Sequence, residues 1–173
     1  MKNQIILMLV LCAELLASGC AGTAAARGHT DSANDSLVGA WRGKVRFKTG
    51  SFAAVKDLEF MYVFNAGGTM TESSNYDASP PVPPAYGIWR KVGTREFEAK
   101  YEFYVTKAPA AFDEIVKGGG WGPGGRGVFV ERITVSEDGK SFTSKIKYDQ
   151  FDTAGKPAEG GGVATGRGVK LTF

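Results

Sequence analysis

The chain is poor in the side chains from which catalytic and metal sites are commonly built. Its 173 residues contain one histidine, His29, and two cysteines, Cys12 and Cys20, all in the N-terminal stretch. From Leu37 onward there is neither a thiol nor an imidazole. A Ser-His-Asp site, a Cys-His pair, a thiolate or imidazole metal centre and a structural disulfide are all excluded there, so core burial alone must hold the fold. No metal or cofactor is expected. A formal net charge of +3, scattered along the chain, is too weak a basic signal for a nucleic-acid surface. Phosphate-binding loops are missing too. Gly120-Trp121-Gly122-Pro123-Gly124-Gly125 matches a dinucleotide fingerprint in letters only, because the residues that follow it alternate like a strand where a helix is required. The one long apolar run, Ile5 to Leu11, is too short to span a bilayer as a helix.

What the N-terminus does contain is an address. Lys2, the run Ile5 to Leu11 and the small residues before Cys20 read as a secretory signal over residues 1–19. Leu15-Leu16-Ala17-Ser18-Gly19-Cys20 resembles the lipobox of bacterial lipoproteins, in which the cysteine is acylated. The resemblance implies lipidation at Cys20 and a place on the periplasmic face of a bacterial membrane. An ordinary signal cut at a site before Arg27 is the alternative, and it would leave the protein periplasmic or secreted. Residues 20–36 hold almost nothing large and apolar, so they are expected to form a flexible tether to a domain over residues 37–173.

Within that domain the apolar pattern has period two. Phe97, Ala99, Tyr101, Phe103 and Val105 alternate with Glu96, Glu98, Lys100 and Glu102, which puts one apolar and one charged face on a strand. Similar segments run over 38–48, 55–65, 69–76, 86–92, 127–136, 141–151 and 163–173, mostly separated by glycine-containing turns such as Ala66-Gly67-Gly68 and Glu137-Asp138-Gly139. Eight strands joined mainly by hairpins predict an all-β fold, an eight-stranded antiparallel up-and-down barrel, which leaves no exposed edge. Two connections are long. One, over residues 77–85, is stiffened by prolines; the other, over 107–126, suggests a short helix followed by a glycine-rich run. These connections, after the third and fifth strands, are expected to open at opposite ends. Phe112, Ile115, Val116 and Trp121 make the second one an apolar lid, or else a plug for the barrel end.

Gly39-Ala40-Trp41, opening the first strand, resembles the calycin superfamily of lipocalins and related barrels. Phe64-Asn65-Ala66-Gly67-Gly68-Thr69-Met70-Thr71-Glu72, Gly87-Ile88-Trp89 and Ser136 to Thr143 are similar to a group of uncharacterised bacterial secreted lipocalin-like proteins. The resemblance implies structural roles for Gly39 and Trp41, with Arg167 covering the indole from the last strand. It implies no established activity.

Three functions stay open on the sequence. A binding module would hold a small apolar molecule among Phe60, Phe97, Tyr101, Phe103 and Phe142, under Trp121. An isomerase or cyclase would use an inward carboxylate or a tyrosine for proton chemistry. Glu72 is the first catalytic candidate, beside Glu59, Glu131, Asp149 and Tyr62, Tyr76, Tyr86 and Tyr101. A ligand-free structural or interaction domain would instead have inward side chains meeting across the barrel axis. An apolar pocket separates the first two from the third.

Overall fold

In the computed structural model, residues 36–76, 83–111, 113–114 and 121–173 are described. The signal, Cys20, the tether up to residue 35 and the lid candidates Phe112, Ile115 and Val116 lie outside these residues. Eight strands form one closed antiparallel barrel: β1 (Gly39–Phe47), β2 (Leu58–Phe64), β3 (Thr69–Ser74), β4 (Ala85–Lys91), β5 (Glu96–Lys107), β6 (Gly122–Val135), β7 (Ser141–Phe151) and β8 (Pro157–Lys170). Each strand pairs with its sequence neighbours, and β1 closes on β8 through a register running from Trp41↔Lys170 to Phe47↔Ala164.

The alternation in the sequence maps directly onto inside and outside. On β1, Trp41, Val45 and Phe47 are buried while Arg42, Lys44 and Arg46 face solvent. On β5, Phe97, Ala99 and Tyr101 are buried. The outward charges of β4, β5 and β6 pair across strands, Arg90–Glu98–Arg132 and Glu102–Arg126, and along β5, Lys100–Glu102. Such exposed pairs stabilise little, roughly 0.2–1 kcal/mol each. Burial of the inward faces therefore carries the fold. Between β6 and β7, Gly139 (φ 68°) adopts the left-handed turn that glycine tolerates. There Asp138 accepts from the Ser136 hydroxyl at 2.6 Å and from the Lys140 amide at 3.1 Å. Those two hydrogen bonds, the hydroxyl's first, hold its carboxyl below the usual range.

Two strands start earlier than their periodicity predicts, β6 at Gly122 rather than residue 127 and β8 at Pro157 rather than residue 163. The glycine-rich run Gly122–Gly127 is a paired strand and not a loop. It lies along Phe103–Lys107, with a register irregularity between Val105 and Thr106. A side chain at Gly124 would sit about 3.0 Å from the backbone of Val105 and Thr106, which explains why this crossing is built from glycine.

The two long connections do not open at opposite ends. Each strand reverses the chain, so the connections after β1, β3, β5 and β7 all share one end. Ser74 and Pro83, flanking the first long connection, and Thr106, just before the second, line the same cavity. That end is the mouth. The other end, the floor, carries the short turns after β2, β4 and β6.

Candidate functional site

The floor is filled. Trp41 is fully buried, its indole N–H donates to the Leu37 carbonyl at 2.8 Å, and its ring meets Phe142 at 5.3 Å. Phe64, Trp89 and Phe97 continue the packing edge to face. Over the indole lies Lys170, with its ammonium 5.2 Å from the ring centroid, and not Arg167. The reason is parity: Ala164, Gly166 and Gly168 point inward on β8, so Arg167 points out and is exposed. Gly39, with φ 132°, leaves room for the Lys170 stem, since a Cβ there would come within 2.9 Å of Lys170 Cε.

Above the floor lies a polar layer. Glu131 is fully buried, and its Oε2 accepts from the Tyr101 hydroxyl at 2.8 Å. The hydroxyls of Tyr62 and Ser144 stand close enough to influence the same carboxyl, yet neither makes a well-directed hydrogen bond with it. Burial pushes the Glu131 carboxyl up from its ordinary range, against the lowering effect of these hydroxyls. Burial, reinforced by the Glu131 and Glu72 carboxylates, also holds Tyr62 and Tyr101 well above the ordinary phenol value, so both stay neutral. Rings meet across the barrel at this level: Tyr62 lies 6.4 Å from Tyr101 and 5.9 Å from Phe142.

From this layer to the mouth the filling is incomplete. A cavity of about 150 Å³ opens beside the wall of Phe103, Phe129 and Tyr148, with Phe47, Phe52, Phe60 and Tyr76 completing its aromatic lining. Tyr101, Phe129 and Tyr148 stack at 5.0 and 4.9 Å between successive centroids, and Phe103 extends the wall 5.6 Å from Phe129. Its polar lining comes from Glu72, Ser74, Thr106 and Gln150, with the Gln150 carbonyl accepting from the Tyr148 hydroxyl at 3.2 Å. Burial raises the Tyr148 hydroxyl to about 12. The second register irregularity of the barrel, between Tyr148 and Gln150, falls at this rim, as does the one in β5.

The predicted site residues thus separate by height. Glu72, Phe60 and Phe103 line the cavity, and Tyr101 lies beneath it as part of the stacked wall. Phe97 and Phe142 belong to the packed floor. Trp121 is half-buried and does not line the cavity. Of the carboxylates, Glu131 is inward but sealed below the cavity. Glu59 and Asp149 face outward, near Lys44 and Lys147 at 3.7 and 2.8 Å. Tyr76 stands at the rim, while Tyr86 is exposed on the outer wall. Sequence reasoning passes over Phe47, Phe129 and Tyr148, although strand parity places them inward. Phe52 has no periodic signal at all, since it sits in the β1–β2 connection and folds over the mouth onto Phe47 and Tyr148, 5.2 Å from each. Comparison with protein-family models, with curated proteins and with solved structures returned no significant match.

Proposed function

We propose that this barrel is a lipocalin-like binding module that seats one small molecule in its mouth cavity, and that Cys20 anchors it to a membrane on the exported side. The observation that carries the proposal is the contrast in filling: the barrel is packed through the Tyr62–Tyr101–Glu131 layer and then opens into an aromatic-walled cup. Cavities for drug-sized ligands run to ~300–1,000 Å³. This one, at about 150 Å³, matches the size that takes a single benzene-like ring. The ligand is accordingly a one-ring or compact branched molecule, smaller than the long-chain lipids that a hollow barrel would hold.

Fluorine NMR on the full chain tests this. Fluorobenzene should show saturable line broadening, and 1-fluoronaphthalene should show none. Silence from both probes would leave the barrel as a filled interaction domain, and equal binding of both would refute the size limit.

A further inference from the structure

The lining of the cavity is unusual in its electrostatics. Among the described residues around it are the rings of Phe47, Phe52, Phe60, Phe103, Phe129 and Tyr148, one carboxyl, Glu72, and no lysine, arginine or histidine. The remaining polar groups, Ser74, Thr106 and Gln150, are neutral. Aromatic faces carry negative quadrupole charge and attract a cation held within about 6 Å of their centroids. Phe103, Phe129 and Tyr148 stack on one another, and the rings inclined to that wall, Phe60 at 73° to Phe129, Phe47 at 87° to Tyr148 and Phe52 at 58° to Tyr148, are the ones that can offer faces. A carboxyl beside them adds a formal charge of the same sign when ionised, and a bound cation favours that form.

Resting on the mouth cavity as the ligand site, we propose that its ligand is a small organic cation with a tertiary or quaternary ammonium head. Three physical features select this class over its competitors. An anion would meet rings and a carboxyl with no basic side chain among the described residues of the lining. A primary ammonium brings three N–H donors, each needing an acceptor, into a wall that is mainly hydrocarbon. An alkylated ammonium has diffuse charge, few or no N–H groups to satisfy and an apolar surface. It therefore gains from both the rings and the carboxylate. Its compact, branched head also suits a cavity of about 150 Å³ better than a flat bicyclic ring does.

The test is isothermal titration of the full chain with choline and with its uncharged isostere, 3,3-dimethylbutan-1-ol, beside the fluorobenzene experiment. Choline should bind at least about tenfold more tightly than the isostere, and Glu72→Gln should erase most of that preference. Because the wild-type pair alone reads the charge preference, the result does not depend on the variant folding. Equal affinity for choline and the isostere overturns the cation proposal and leaves the binding module standing. So does fluorobenzene binding with no response to choline. Failure of all three probes overturns both.

Discussion

The two ends of this barrel are made from the same kinds of side chain and differ in how completely these meet. At the floor, Trp41, Phe64, Phe97 and Phe142 interlock in a regular register, joined by short turns. At the mouth, Phe103, Phe129 and Tyr148 stack into a wall and both register irregularities occur; Phe60 reaches Phe129 across the barrel at 5.8 Å, yet a cavity of about 150 Å³ remains among the rings. Aromatic content alone therefore does not separate a core from a ligand site. What separates them is whether space is left among rings that already meet, and it is left at the end where the ladder is irregular. Each bulge bends its strand and increases its twist locally.

The sharpest break of this comparison uses glycines beneath aromatic rings. In the floor, the Phe142 ring lies over Gly168; near the mouth, the Phe103 ring lies over Gly127, with Tyr148 beside it. An added methyl at either position overlaps a ring. Phe142 is held between Trp41 and Tyr62 at 5.3 and 5.9 Å and has nowhere to go, so Gly168→Ala should cost the upper part of the ~1–3 kcal/mol typical of overpacking. Phe103 borders the cavity and can tip into it, so Gly127→Ala should cost nearer the lower bound and weaken fluorobenzene binding. Urea denaturation of the two variants makes the check. Equal losses would mean that the mouth is as tightly packed as the floor.

The same glycines show how much of the structure is legible in the sequence. The barrel follows from alternation in β5 and β7, where large apolar and charged residues take turns. On β8 the pattern is inverted: its buried positions are Ala164, Gly166 and Gly168, while Val163 and Val169 are about half exposed. Rings from neighbouring strands fill the space that β8 leaves, so its own sequence hides which face is inside. Nothing in that pattern corrects the calycin resemblance, which implies Arg167 over the indole where the structure has Lys170. The early halves of β6 and β8 are illegible for a related reason, since a glycine run has no side chains to alternate. Glu72 as a cavity residue is readable from parity, as is the inward face of Glu131. That one is sealed and the other is exposed to the cavity depends on ring packing across the barrel, which no local pattern records.

The polar layer is the boundary between the two ends, and pH examines it. Glu131 has a folded-state pKa raised above the ordinary 4.5 by burial. The folded state therefore binds that proton more tightly than the unfolded one. This contribution is fully present below the ordinary value and is lost as pH rises through the raised one. Glu131→Gln removes the loss, so the melting temperature of the variant relative to the parent should climb as pH rises from about 4 towards 8. Parallel melting curves across that range would mean that water from the mouth reaches the carboxyl, and the seal between the halves would fall with it.

The smallest expected effect lies at the bottom of the floor. The Lys170 ammonium sits 5.2 Å from the Trp41 ring at a partly solvated position, where such a contact contributes ~0.5–1 kcal/mol. Lys170→Met should cost about that much and shift the tryptophan emission, because removal of a charge above the ring alters the indole's surroundings directly. Arg167 lies between the inward-facing Gly166 and Gly168 and is itself exposed. Arg167→Met therefore changes only the outer face and should stay within about 0.5 kcal/mol, with no spectral change. The pair of variants is informative because both residues are basic and stand on the same strand. If Arg167→Met proved the costlier, the parity of β8, and with it the placement of Gly166 and Gly168 beneath the rings of the interior, would have to be reversed.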